Sequence, residues 1–384
     1  MIFKKGSFIE IDEKRCLNLM HHGVECNHCI GHCPEDAIIY YNDRVYLDRE
    51  KCSGCGLCFS DCPTEVFRSK QWDETSIIGD IEEEKWKVTE FFCDKHTAPY
   101  KMEKNKERGG VQLPACLSII SKGAWYEAGL KTKIEIHLDQ CKECPMLKTI
   151  SRLQYNVGMA AEWLEASGHI QSFSFIHQGS QGKLKKSLLA IETGLKVTSR
   201  RDLFVSLINK GQKIAGKSTN EADNSCEALD KKIYNNRLPD WQKRFGEVFQ
   251  KNMEDHSNPA YWPTIKISSQ CMNCGMCGRY CPSGTLKIIE KDGVCTHHFT
   301  NGFCLDCRIC QLFCPKEAIT RDREKVENPF EVKNIHGTTS TKCKRCGSIT
   351  EDSTRDLCYW CKQGDTLDNE IKDSLQKILL SKGK

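Results

Sequence analysis

No run of the 384 residues approaches the ~18 consecutive apolar residues that a membrane-spanning helix needs, and hydrophobic residues make up only 39% of the chain. A membrane span is therefore not expected. The opening MIFKKGSF lacks the apolar core and cleavage site of a secretory leader. Ser199-Arg200-Arg201 has the letters of a twin-arginine export signal, but it lies mid-chain with no long apolar run behind it. The glycine fingerprint of a dinucleotide site and the glycine-lysine pattern of a phosphate loop are both missing. So is the C-x3-C-x2-C run of radical-SAM enzymes, because Cys29-x3-Cys33 is followed by Pro34 and by no cysteine two residues later. No catalytic residues are assigned.

What the chain has in excess is cysteine, 26 residues in all. Disulfides fit poorly, since most of these thiols recur two or three residues apart in C-x2-C units, the spacing of ligands. A reducing cytoplasm is the expected compartment. The length suggests two or three domains.

One unit repeats four times: closely spaced cysteines, the last followed by proline. Cys271, Cys274, Cys277 and Cys281-Pro282 form C-x2-C-x2-C-x3-C-P, and Cys304, Cys307, Cys310 and Cys314-Pro315 repeat it unchanged. Three cysteines two residues apart let a tight loop wrap three corners of a cubic cluster. The fourth thiolate must come from elsewhere, and proline, with fixed φ and no N–H, helps turn the chain away. Gly275 and Gly278 leave room for close backbone approach, where amides can tune a cluster by bonding its sulfur. Short strands are expected at 285–289 and 318–320. This pattern resembles the bacterial-type 2[4Fe–4S] ferredoxin family, in which the fourth cysteine of each run ligates the other cluster. The resemblance implies one cluster on Cys271, Cys274, Cys277 and Cys314, and another on Cys304, Cys307, Cys310 and Cys281.

The N-terminal half repeats the design with one departure. Cys52, Cys55, Cys58 and Cys62-Pro63 match, but the partner run is Cys16-x9-Cys26-x2-Cys29-x3-Cys33-Pro34. An insertion lengthens the loop without removing a ligand. The family rule then implies Cys16, Cys26, Cys29 and Cys62 on one cluster and Cys52, Cys55, Cys58 and Cys33 on the other. Replacement of Cys16 by His21, His22 or His28, or a three-coordinate site, is the alternative; those histidines are otherwise expected as solvent-facing loop residues. Formal net charge is +4. Four clusters of about −2 each would bring it to about −4, so basicity argues little for nucleic acid.

Residues 84–180 change character. Apolar or alternating segments at 88–92, 110–114, 133–138 and 170–176 read as strands, and 117–129 and 146–167 as helices. The alternation implies βαβ units and a parallel sheet. Three strands run into Cys93, Cys116 and Cys141, with Cys144 just beyond, and ligands in open α/β sheets bind past the carboxyl ends of strands. Cys93, Pro114-Ala115-Cys116, the helix after it and Cys141-Lys142-Glu143-Cys144 resemble the iron–sulfur (delta) subunit of methanogen-type hydrogenases. That likeness implies a [2Fe–2S] cluster; zinc, or buried free thiols, are the alternatives.

Residues 184–195 and 200–215 have helical spacing, with Ser199 as a cap; 216–227 reads as a flexible linker holding an isolated Cys226. Near the end, Cys343-x2-Cys346 and Cys358-x2-Cys361 read as a tetrahedral structural Zn²⁺ site, with rubredoxin-like iron as the alternative. Lys342, Lys344 and Arg345 hint at nucleic acid, but Glu351, Asp352 and Asp356 dilute the hint. A last helix is expected at 367–380.

The expected architecture is multidomain, α+β and α/β. It comprises a dicluster ferredoxin-like domain (1–83), an α/β domain with parallel strands (84–180), a helical segment and linker (181–260), a second dicluster domain (261–335) and a zinc-ribbon-like tail (336–384). The expected function is polyferredoxin-like electron transfer through four [4Fe–4S] clusters, as a carrier or subunit of a larger chain. Hydrogenase-like, heterodisulfide-reductase-like or other low-potential oxidoreductases are the expected partners; nucleic acid and membrane are not. Two alternatives stand: a redox enzyme with a thiol- or sulfur-reactive middle centre, and a redox-sensing binding module.

Overall fold

The computed structural model describes residues 9–20, 24–70, 72–93, 107–139, 141–169, 173–177, 180–182, 195–197, 237–253, 258–351 and 357–364. The expected helix at 200–215, the linker with Cys226, Ser199 and the last helix lie outside these residues. So does the 184–195 pattern apart from Leu195, which opens a short strand paired with Val24–Cys26.

The α/β unit forms as the alternation implies. Strands Arg108–Leu113, Val88–Cys93, Lys133–His137 and Phe173–His177 lie side by side in that order, all parallel, and Ser180–Gly182 adds an antiparallel edge. Strand Val88–Cys93 pairs with Arg108–Leu113 on one side and Lys133–His137 on the other, so the chain order reverses between it and Lys133–His137. A crevice opens at such a switch point, beyond the carboxyl ends. Helices Lys122–Lys131 and Ile150–Ala166 cover one face with Trp125, Tyr126, Val157, Ala160 and Leu164 buried. Ser121 caps the first of them, accepting from the Ala124 N–H at 3.1 Å, while the Glu74 carboxylate accepts from the Ser121 N–H and hydroxyl.

Helix Asp240–Asn252 lies within the stretch expected as helical segment and linker. Trp241, Phe245 and Phe249, four residues apart, put one apolar stripe against the α/β helices. Gly123 permits the approach, because a Cβ there would lie 2.6 Å from the Trp241 ring. Trp163 and Trp262 stack with ring centres 5.4 Å apart, and Phe245, Phe249 and Phe330 close around them. One hydrophobic core thus runs from the N-terminal unit through the α/β unit to strand Ala260–Ile267.

Each cysteine-rich half carries its cysteine runs on short helices between strand pairs. Glu10–Ile11 pairs with Phe67–Arg68 and Ile38–Tyr41 with Arg44–Leu47 in the first half. The second half pairs Ala260–Ile267 with Ile319–Val326 over eight residues and has a hairpin of Leu286–Lys291 with Val294–Phe299. Strand Lys333–Lys342 pairs with Val294–Phe299 and leads directly to Cys343, so the border expected at 336 falls inside a strand.

Candidate metal centres

The same turn follows all four C-P pairs. The chain leaves a short helix at the cysteine, passes proline, and places the third following residue at positive φ: Asp36 (48°), Glu65 (50°), Gly284 (66°) and Glu317 (51°). That turn aims the next amide back at the thiol. Ala37 donates to Cys33 Sγ at 3.3 Å, Val66 to Cys62 Sγ at 3.3 Å and Ala318 to Cys314 Sγ at 3.2 Å. In the three regular runs the loop between cysteines repeats a second rule, with positive φ at Gly54 and Gly56, Asn273 and Gly275, Asp306 and Arg308. The residue types differ while the backbone path is the same.

These paths close cavities around thiols. Cys16, Cys26, Cys29 and Cys62 line one; Cys33, Cys52, Cys55 and Cys58 line a second, which Cys29 also touches. Cys271, Cys274, Cys277 and Cys314 line a third. Cys304, Cys307 and Cys310 lie within electrostatic reach of Cys281. In the α/β unit Cys93, Cys116, Cys141 and Cys144 line a cavity with Met146, Thr149 and Ile150, at the switch point. Cys343, Cys346, Cys358 and Cys361 bring their sulfurs within 4.8 Å of one another.

Burial dominates the chemistry of these thiols. It pushes Cys26 and Cys55 up to about 12, with neighbouring cysteines adding to the effect, and raises Cys29 and Cys58 well above the ordinary thiol range. Crowded buried thiols have little to gain from each other, whereas an iron core would take them as thiolates. The amide-to-sulfur bonds suit such charged ligands, and the donor set fits an iron–sulfur group. In the tail, backbone amides, first that of Cys358, pull Cys343 down to about 6.

Cys16 is buried and lines its cavity directly. His28 lines it too, and is only 9% exposed at the start of helix His28–His32, so it is not the solvent-facing loop residue expected. Its Nδ1 lies 3.9 Å from Asp61. His21 and His22 are outside the described residues. Asp61 itself is a residue that the cysteine spacing did not reveal. Burial raises its pKa, but the His32 hydrogen bond at 2.6 Å and the Arg152 charge outweigh burial and hold it below the ordinary range. A second such residue is Arg321, which donates to Cys304 Sγ at 3.4 Å and to Asp306 at 2.5 Å. The signal for Asp61 was its place immediately before Cys62, where the other runs have His32, Tyr280 and Phe313.

The 4Fe–4S dicluster domain family matches residues 8–63. An uncharacterized ferredoxin of Methanocaldococcus jannaschii is 34% identical over 47 residues, covering 12% of this chain and 76% of that one. The chain belongs to the ferredoxins. Its dicluster domain binds [4Fe–4S] clusters and makes it an iron–sulfur electron-transfer protein. Pyruvate synthase subunit PorD of Methanothermobacter marburgensis is 29% identical over 62 residues, 16% of this chain and 63% of that subunit. A probable iron–sulfur subunit of the Frd operon of Proteus vulgaris is 43% identical over 42 residues, 11% of this chain and 27% of that protein. The chain therefore spans less than two thirds of those two relatives. No helix among the described residues is long and apolar enough to cross a membrane.

Proposed function

We propose that this chain is a polyferredoxin-like electron wire with four [4Fe–4S] clusters, a fifth centre in the α/β unit and a zinc-stabilised tail. The observation that carries this reading is that cysteine-lined cavities adjoin one another in series. Cys29 touches both N-terminal cavities. Cys55 shares an apolar cluster with Cys116 and Cys144 of the α/β unit. Cys26 shares another with Cys274 and Cys307 of the second half. Clusters held this way supply one-electron redox chemistry at potentials that the surrounding protein sets.

The ligand sets are those the family rule implies: Cys16, Cys26, Cys29, Cys62; Cys33, Cys52, Cys55, Cys58; Cys271, Cys274, Cys277, Cys314; Cys281, Cys304, Cys307, Cys310. Cys93, Cys116, Cys141 and Cys144 hold the fifth centre, a [2Fe–2S] cluster, and the four tail cysteines hold zinc. The chain's own residues exclude water with Ile9, Ile38, Val45 and Val66 and donate amides to sulfur. Because two of the relatives are named as subunits, a place in a larger low-potential oxidoreductase is part of the proposal. The reactive-thiol alternative is disfavoured at Cys141: burial and the neighbouring cysteines push its thiol up to about 12, away from the thiolate that attack requires.

Anaerobic purification with iron, sulfide and zinc counts, followed by EPR, tests the reading. About eighteen irons and one zinc are expected; about sixteen would remove the [2Fe–2S] centre. About eight would confine clusters to the N-terminal half and overturn the wire.

A further inference from the structure

Between the two cysteine-rich halves runs a belt of buried and partly buried charge. On the N-terminal side Arg152 pairs with Asp61, whose side chain is 1% exposed and which lines the cavity of Cys33, Cys52, Cys55 and Cys58. Tyr155, one helical turn on, packs its ring 4.8 Å from the Arg152 guanidinium. On the C-terminal side Arg321 and Arg323 both pair with Asp306, at 2.5 and 3.7 Å, and Arg321 reaches Cys304 Sγ. Lys122 lies between these groups. Its ammonium is 5.7 Å from the centre of the Trp163 ring and 5.2 Å from that of Trp241.

The charges do not balance. Four cations, Lys122, Arg152, Arg321 and Arg323, share two carboxylates, Asp61 and Asp306, and Lys122 has no ion-pair partner among the described residues. The charges that act on it come from both sides: Arg323 and Asp306 of the C-terminal half, and Arg152 of the α/β unit with Asp61 of the N-terminal half. Burial first, then the two arginines, pulls Lys122 down to about 8, a measure of how poorly the protein alone compensates it. Tryptophan faces offset part of that cost. A partly buried cation with no carboxylate partner favours any negative charge placed within its reach.

We propose that Lys122 and the arginines around it form an internal electrostatic junction that sets the reduction potentials of N-terminal and C-terminal clusters together. The inference rests on the proposed assignment of clusters to both halves. One-electron reduction adds one negative charge to a cluster and breaks no bond. A fixed cation nearby favours the added charge, and removing it makes reduction harder. Because the belt reaches both halves, one substitution should act on both.

The test is an EPR-monitored redox titration of the full cluster-loaded chain, with a low-potential one-electron donor such as dithionite. Signals are assigned to halves with Cys58→Ser and Cys307→Ser. Lys122→Met keeps apolar packing between the tryptophans and removes the charge. It should move clusters of both halves to more negative potential, by roughly a tenfold change in the reduction equilibrium, as expected for one unit charge at interior range. Lys122→Arg should restore both. Arg323→Gln supplies a second variant with the same expected direction if Lys122→Met does not fold. Unchanged potentials, or a shift confined to one half, would overturn the junction. An iron count of about eight in the wild-type chain would instead strike the cluster assignment, so the two failures are told apart.

Discussion

The two cysteine-rich halves share a backbone plan and differ at the pair of residues that precede their C-P turns. In the N-terminal half these are His32 and Asp61, hydrogen-bonded at 2.6 Å. In the C-terminal half they are Tyr280 and Phe313, stacked with ring centres 4.3 Å apart and planes 18° from parallel. Each pair decides what its half docks against. Asp61 draws Arg152 from the α/β unit across the interface. Tyr280 and Phe313 present an apolar face on which Leu17 and Val24 pack. Those two residues belong to the insertion between Cys16 and Cys26. The extra loop thus has a structural role: it seats the irregular half on the regular one.

The largest test of this comparison asks whether the irregular run is as competent as the regular one. Cys16→Ala and Cys271→Ala are each expected to remove one cluster, about four irons per chain by metal analysis. If Cys16→Ala retains its full iron, the insertion has displaced the ligand, and His28, already lining that cavity, becomes the replacement.

The docking pairs differ in kind and should break differently. Asp61→Asn puts a neutral amide in the buried position facing the partly buried Arg152 and should cost about 3–5 kcal/mol in anaerobic denaturant unfolding. Phe313→Ala should cost a similar ~3–5 kcal/mol through the cavity it leaves. The double variant Asp61→Asn with Arg152→Met separates them, because replacing both partners of a buried ion pair recovers most of the loss. Equal costs for the single and double variants would mean that the Asp61–Arg152 contact is not what docks the N-terminal half.

Much of this was legible in the chain itself. The C-P spacing located all four turns, and the apolar segments between 88 and 176 gave the parallel strands, because strand and helix periods differ plainly there. The docking pairs were not legible. His32 and Asp61 lie 29 residues apart, and only the packing of the two short helices brings them together. Arg152 reads as one more charge on an amphipathic helix until Asp61 is beside it. The helix Asp240–Asn252 left a clear trace in Trp241, Phe245 and Phe249, yet its destination, an aromatic core shared with Trp163 and Phe330, depends on contacts with no local signature. The strand from Lys333 to Lys342 shows the same limit: its polar alternation hides an edge that pairs with the second cysteine-rich half.

The smallest expected effects probe the loop between the second and third cysteines of the regular runs, where Gly56, Gly275 and Arg308 occupy the same left-handed turn at φ 80°, 76° and 57°. Three runs thus offer one backbone conformation in three settings. At Gly56 a Cβ would sit 2.5 Å from Ile119 Cδ1, so Gly56→Ala adds a clash with the α/β unit to the conformational penalty and should cost about 2–3 kcal/mol. At Gly275 nothing lies within 4 Å of that position, leaving the conformational term alone, and Gly275→Ala should cost about 1 kcal/mol. Arg308 already bears the strain of a side chain there, and Arg308→Gly should stabilise by a few tenths to about 1 kcal/mol, since the gain in the folded turn opposes the added freedom of the unfolded chain. Anaerobic unfolding midpoints would rank the three. If Arg308→Gly destabilises instead, the guanidinium contributes to the C-terminal cluster loop, and the two halves differ in how these turns are held as well as in how they dock.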